Sequence, residues 1–423
     1  KDSPSRRAGE PKRAGRGSGM MPYEEALDIV LSFCRSLPSE RVFIVDALNR
    51  VLAEDVVSQE DRPSFDNSAM DGYAVRWEDI KEATEKSPVS LKVIGEMPAG
   101  GEGSFKVERG TAVKIFTGAP IPEGADTVIP VEYTEAKNGM VFIKTSLKEG
   151  ANIRRRGEEL KAGDVVLEKG TIIRHYEVGI LASLNKINVE VSRKPRVAIL
   201  STGDEIKDIG EPITKPSQIR TSNNYTLLAG VLSAGGIAYH LGIVEDDPEK
   251  LKNVLSQIGE YDVFITTGGV SMGEKDYVKT LVSELGVDVK FHKVRIKPAK
   301  PILFGTYNGG KGLFFGIPGN PVSCAIAFDL LVKPALLKMQ GAKEYLPKTF
   351  KARIKRDFYR RDAERREFVR AVYWWEGDSL VCDFSQKLQS HMLTSYVGAN
   401  CYLVVKEGVK EIKKGEEVEL ILF

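Results

Sequence analysis

The stretch FITTGGVSMGEKDY, from Phe264 to Tyr277, decides how the rest of the chain is read. Tyr261 to Thr266 is a short apolar run rich in β-branched and aromatic side chains, the pattern of a fully buried parallel strand. It stops at Gly268-Gly269, where a backbone without Cβ can take positive φ and approach a ligand closely. From Lys275 the segment KDYVKTLVSEL restores a helical period, with Val278, Leu281, Val282 and Leu285 apolar. The expectation is a strand, a Gly-rich loop and a helix. Such a loop offers backbone N–H groups to an anion near a helix N-terminus, although a tight connection that binds nothing has the same pattern.

The same grammar runs on both sides. RVAILSTGDEI, YDVFITTGGVSMG and GLFFGIPGNPVS are three apolar strands, each ending in a polar, Gly-bearing loop, with helical stretches such as YTLLAGVLSAGG and PVSCAIAFDLLVKPALLKM between and after them. Strands alternating with helices imply a mostly parallel sheet with right-handed crossovers, so the three loops should share its carboxyl edge, where open α/β sheets bind ligands. Beyond Gly341 the pattern changes to short strands separated by turns (FKARIKRDF, REFVRAVYWWEG, SLVCDFS, CYLVVKEG, EEVELILF), which suggests a β-barrel or sandwich.

Upstream, Val89 to Ser146 alternates short β-type runs with Gly, Pro and Asn, as a small β domain would. Before it, RPSFDNSAMDGYAVR reads as a loop carrying Asp66 and Asp71, acids that could equally serve as turn or cap residues. Pro22 to Leu37 places Ala26, Ile29, Val30, Phe33 and Cys34 on one helical face, and Pro38 stops it. Lys1 to Gly19 has the composition of a disordered basic tail.

Length and composition narrow the function classes. The chain of 423 residues has room for roughly three domains. A net charge of +2 supplies no global attraction to nucleic acid or membrane, so neither is expected as a partner. No apolar run approaches the ~20 residues needed to span a bilayer. Four scattered cysteines with no CxxC pair suggest neither a zinc site nor a disulfide framework, and a reducing cytoplasm fits best. Walker A and GxGxxG motifs are absent at strand ends, and the four histidines lie outside the Gly-rich loops.

What remains is a set of acids and hydroxyls, Asp71, Thr117, Asp204, Glu205, Asp246, Asp247 and Asp276, with a cationic run KVRIKPAKP. A β-like segment there would present Lys293, Arg295 and Lys297 on one face, stiffened by Pro298 and Pro301. Both signs together suit a phosphate or oxyanion held by lysines and a hard divalent cation held by carboxylates.

In order and spacing, DNSAMDGYA, TGAP, STGDEI, TTGGVSMGEKDY, IKPAKP and GIPGNPVS resemble the molybdopterin molybdenumtransferase (MoeA) family, which shares its fold with the gephyrin E domain. The resemblance runs from Met20 to Phe423. Stand-alone molybdopterin adenylyltransferases resemble only the Pro195 to Leu337 portion, and typically have GGTG where this chain has GGVS.

The resemblance implies a multidomain α/β plus β protein. A disordered tail (1–19) would precede an elongated linker and dimerisation domain (20–58 and 152–194), interrupted by an inserted β domain (59–151). A parallel-sheet α/β substrate-binding domain (195–340) and a C-terminal β-barrel (341–423) would follow. It also implies a homodimer that inserts molybdate or tungstate into adenylylated molybdopterin with release of AMP, using Mg2+, with a molybdopterin adenylyltransferase as a further partner. A non-catalytic, gephyrin-like scaffold is the alternative.

By the same resemblance Asp71, Thr117, Glu205, Asp246 and Asp276 are the catalytic set, with Glu205, Asp246 and Asp276 holding the metal. Gly268, Gly269, Ser271, Lys293, Lys297, Lys300, Pro318, Pro321, Arg365, Arg370 and Ser390 would contact the substrate, although Arg365, Arg370 and Ser390 could equally be structural.

Overall fold

The structure is a computed structural model that describes residues 19–268 and 275–423, excluding the side chains of residues 275–277. Most of the expected basic tail, Gly269, Ser271 and the Asp276 side chain therefore lie outside the described residues. The chain divides into two compact units: residues 19–54 with Lys169–Val178 and Ile187–Phe423, and Asp55–Glu168 with Gly179–Lys186.

In the first unit a six-stranded sheet runs in the order Ile237–Val244, Arg196–Thr202, Val263–Thr267, Gly312–Ile317, Leu303–Tyr307, Asp288–Phe291. The first four strands are mutually parallel, and the last two pair antiparallel in turn. Strand residues alternate between faces, so each face needs its own cover. Val197, Ile199, Val263, Ile265, Leu313 and Phe315 share one core with the helices Tyr23–Ser32, Asn223–Ser233 and Pro321–Ala327. Ala198, Leu200, Phe264 and Phe314 join Leu251, Leu255, Val278 and Val282, from the helices Pro248–Leu255 and Lys275–Glu284, in another. This two-sided burial explains why Val263–Thr267 begins apolar and is β-branched or aromatic throughout, with all five residues buried. The first helix is shorter than the apolar pattern, because Phe33 and Cys34 N–H turn back to the Val30 and Leu31 carbonyls.

The C-terminal strands close on themselves. Arg366–Glu376 pairs with both Ser379–Phe384 and Cys401–Val405, and Thr349–Ile354 and Glu417–Leu422 complete the ring. The result is a five-stranded barrel, in which closure removes the free edges a sandwich would leave. Ile296–Lys297 pairs in parallel with the start of the Arg366 strand and so ties the cationic run to the barrel. Elsewhere in this unit Ser39–Phe43 pairs antiparallel with Asn188–Ser192.

The second unit holds another six-stranded sheet, ordered Thr127–Pro130, Gly72–Val75, Thr111–Ile115, Val89–Met97, Met140–Ile143, Thr134–Lys137. Its pairs are antiparallel except that between Val89–Met97 and Thr111–Ile115. Among the described residues no helix is long and apolar enough to cross a membrane.

Candidate functional site

In the first unit the chain leaves Thr202, passes to the outer strand that ends at Val244, and returns on the other side of the Arg196 strand as Val263–Thr267. The order reverses between Thr202 and Thr267, and a crevice at such a switch point is where open α/β sheets take ligands. Three loops start together there. Gly268, at φ +87°, donates its N–H to the Ile317 carbonyl (3.2 Å), and a β-carbon on it would meet the Thr202 carbonyl oxygen at 2.5 Å. Gly319, in the loop after Ile317, comes close to Gly268.

A side-chain clamp holds these loops. Asn223 Nδ2 donates to Thr267 Oγ1 (2.9 Å) and to the Gly319 carbonyl (2.8 Å), and the Thr267 hydroxyl donates to the Pro318 carbonyl (3.1 Å). Neither Asn223 nor Thr267 is a residue that sequence reasoning selected. An Asn opening a helix looks like a cap, and the only signal was a polar Thr-Thr pair ending an apolar strand. Asn223 Oδ1 and Thr202 Oγ1 are buried at this edge with no partner among the described residues. Buried polar atoms are nearly always paired, so two such atoms at one switch point call for partners beyond the described residues, from the chain after Gly268, water or a ligand.

The acids stand on the adjoining loops. Asp204 Oδ1 accepts the Asp246 N–H (3.0 Å), joining the loops that follow the Arg196 and Ile237 strands, and Glu205 is exposed beside it. Asp247, counted among the acids by sequence, caps the helix Pro248–Leu255, accepting the Glu249 and Lys250 N–H groups at 2.9 and 3.3 Å. Asp208, which was not singled out, accepts the Tyr225 hydroxyl (2.6 Å), and that bond holds its carboxyl below the usual carboxylate range. Among the described residues no group of three or more His, Cys, Asp or Glu is placed to hold a metal ion. The donors expected for one, Glu205 and Asp246 together with Asp276, whose side chain lies outside the described residues, are hard oxygen ligands of the kind Mg2+ takes.

Pro318 is buried and Pro321 opens the helix Pro321–Ala327. The Val322 N–H donates to the Ser390 carbonyl (3.0 Å), which brings Ser390 to this loop.

The cationic run differs from the expected extended segment. Only Ile296–Lys297 is strand, because the Val294 N–H returns to the Lys300 carbonyl (2.9 Å) and closes a turn. Met21 bonds the backbone of Lys293 and Arg295, and Arg295 turns its guanidinium toward the Met20 carbonyl. Lys293, Lys297 and Lys300 are each half-buried. Arg365 reaches the Ile296 carbonyl at 3.5 Å. Arg370 is buried in the barrel, where Nε donates to Ser395 Oγ and Nη2 to the Lys387 carbonyl, each at 2.8 Å.

In the second unit Asp71 Oδ1 accepts both the backbone N–H of Thr117 (2.8 Å) and its hydroxyl (2.9 Å). These bonds, the backbone one first, hold the exposed Asp71 carboxyl below its ordinary range, so it stays ionised. Asp66 is taken up by the Arg156 N–H and the Arg155 guanidinium.

Three family models match the chain in succession: the MoeA N-terminal region (domain I and II) over residues 21–185, a probable molybdopterin binding domain over 198–338, and the MoeA C-terminal region (domain IV) over 351–423. A curated molybdopterin molybdenumtransferase from Nostoc is 36% identical over 94% of this chain and 93% of its own length. The chain belongs to the molybdopterin molybdenumtransferase family. A Bacillus subtilis member is 34% identical over 95% of this chain and 94% of its own length. The crystal structure of the molybdopterin biosynthesis moeA protein from Pyrococcus horikoshii superposes with a TM-score of 0.82 at 34% identity, covering 96% of this chain and all of that one. Within the family's frame, the Asn223–Thr267 clamp and the orphaned polar atoms fall in the stretch matched as a molybdopterin binding domain.

Proposed function

We propose that this molybdenum cofactor biosynthesis enzyme transfers molybdate, or tungstate, to adenylylated molybdopterin and releases AMP. The observation that carries the reading is the switch point, where Gly268, Thr202 and the Pro318-Gly319 turn meet and Asn223 Oδ1 and Thr202 Oγ1 are buried with no partner among the described residues. Backbone approach at Gly268 suits the phosphate part of the substrate, and Gly269 and Ser271, which follow it in sequence, are assigned to the same part. Lys293, Lys297, Lys300 and Arg365 supply cations for an oxyanion or phosphate, and Pro318, Pro321 and Ser390 shape the neighbouring loop.

Glu205 and Asp246, with Asp276, would hold Mg2+. When bound, the ion neutralises charge on the phosphoanhydride whose P–O bond is broken. Asp71, kept ionised by Thr117, is suited to take a proton from a pterin dithiol S–H as its sulfur binds the metal and to pass it to the metalate oxo group, which gains two protons in all and leaves as water. The dithiolene sulfurs belong to the substrate, so the four free cysteines need take no part.

The reading includes a cytoplasmic homodimer supplied by a molybdopterin adenylyltransferase. Phe43, Val45, Leu48 and Ile187 support the dimer, since they leave large apolar side chains exposed around one strand pair. The test supplies purified protein with adenylylated molybdopterin and molybdate and follows AMP and pterin-bound metal. Molybdate-dependent AMP release that Glu205→Gln slows is expected. Tight pterin binding with no AMP release under any metalate would leave a scaffold instead.

A further inference from the structure

Lys297 is the outermost member of a chain of three charges that begins inside the barrel. Its strand, Ile296–Lys297, pairs in parallel with Arg366–Glu367, in the register Lys297 to Glu367. Lys297 Nζ lies 3.3 Å from Glu367 Oε1, and the lysine side chain is 40% exposed while that of the glutamate is 6% exposed. The other carboxylate oxygen faces Arg360 Nη1 at 3.4 Å, and that arginine is buried as well.

Arg360 is itself immobilised. It donates to the carbonyls of Lys406 (2.6 Å), Val409 (2.7 Å) and Arg365 (2.8 Å). One buried guanidinium therefore fixes both the backbone of Arg365 and the carboxylate that meets Lys297. Arg365 in turn reaches the Ile296 carbonyl, beside Lys297.

Strand pairing does not require this arrangement. The register is held by backbone bonds, and a buried carboxylate carries a desolvation cost that an apolar side chain at the same place would avoid. A solvent-facing lysine otherwise samples many rotamers, and a contact with a fixed acid removes that freedom before a ligand arrives. Two cations against one anion leave the three groups together net positive, and the nearby Asp362 carboxylate is matched by Arg365 at 3.9 Å.

We propose that Glu367 is a positioning residue: set by Arg360, it holds the Lys297 ammonium where it meets the oxyanion substrate. The proposal rests on the reading of Lys297 as an anion contact. Glu367 touches no substrate and acts only through the lysine.

The test uses the full chain and molybdate as the probe, measuring its affinity by calorimetry and its KM in the AMP-release assay. The variants are Lys297→Ala, Glu367→Met, which keeps volume and removes the acceptor, and Glu367→Gln, which keeps an acceptor in place. Glu367→Met is expected to weaken molybdate roughly 10-fold, as loss of a supporting contact does at ion sites, with kcat and the pterin KM within about 2-fold of the parent. Glu367→Gln should recover most of the affinity, and Glu367→Met in the Lys297→Ala background should add nothing. If Glu367→Met does not fold, Glu367→Ala repeats the comparison.

Unchanged molybdate affinity in Lys297→Ala overturns the underlying reading of the lysine. Weakened binding in Lys297→Ala beside unchanged or tighter binding in the Glu367 variants overturns the positioning role alone. A purely structural Glu367 would lower thermal stability in both Glu367→Met and Glu367→Gln without separating them in molybdate affinity, and that outcome also overturns it.

Discussion

Gly268 and Thr202 approach each other so closely that a β-carbon on the glycine would lie 2.5 Å from the threonine carbonyl oxygen, and the glycine sits at φ +87°. Both the contact and the backbone angle exclude a side chain. Gly268→Ala is therefore expected to destabilise the protein by about 1–3 kcal/mol and to slow AMP release more than that loss explains, because the strain falls on the loop proposed to face the substrate. Urea unfolding and steady-state kinetics check it. An alanine variant with the parent's midpoint and rate would mean that the two loops separate freely.

A second prediction concerns Asp71. Two donors from Thr117 favour its charged form, so its folded pKa lies below the unfolded one. Any stabilisation from this pair is present above the unfolded pKa and is lost as pH falls through the folded one; full exposure makes it small. Thr117→Val removes the hydroxyl and keeps the N–H, so the Asp71 pKa should rise toward the ordinary carboxylate value. The acid limb of the activity profile should move to higher pH with it. Carboxyl NMR titration of both proteins measures the shift directly, and superimposable curves would show that the backbone donor alone suffices.

The sequence carried the parts of this architecture that depend on local pattern. A buried run ending in Gly-Gly marked Val263–Thr267, and strand–loop–helix alternation placed the Gly-bearing loops on one edge. Strand spacing announced a C-terminal β domain, but its closure was not legible, because it rests on pairing Arg366–Glu376 with Cys401–Val405 across distant sequence. Long side chains were the least legible. Arg370 looks like Arg365 as a letter, yet one guanidinium is buried in the barrel and the other remains partly exposed. Asn223 was passed over for a related reason: what distinguishes it from a helix cap is Gly319, 96 residues away.

Asp329 gives a third prediction, on stability. Its carboxyl is withdrawn from water, accepts the Tyr402 hydroxyl at 2.7 Å, and burial raises its pKa despite that bond. A raised carboxyl pKa means the folded state binds the proton more tightly, so this contribution is fully present below the unfolded pKa and is lost as pH rises through the folded one. Asp329→Asn keeps an acceptor for Tyr402 and removes the titration. The variant should be at least as stable as the parent near neutral pH and lose its advantage in acid. Melting temperatures followed from acid to mildly alkaline pH read this out. A constant offset between the two proteins at every pH would assign the effect to packing.

The fourth prediction follows from the proposed dimer. Val45 is 55% and Ile187 67% exposed, and the Ile44 N–H donates to the Ile187 carbonyl, so the two apolar side chains project from neighbouring backbone. With Phe43 and Leu48 they make an apolar patch of the kind that marks an interface. Burying such a side chain is worth about 1.5–3 kcal/mol, and replacing it by a carboxylate adds the cost of desolvating a charge. In the combined variant Val45→Asp, Ile187→Asp the association constant should fall by several orders of magnitude, leaving a folded monomer. Sedimentation equilibrium gives the mass and circular dichroism the fold. A dimer that persists with its parent's affinity would place the interface on another face of the protein, whereas a monomeric parent would remove the dimer from the proposal altogether.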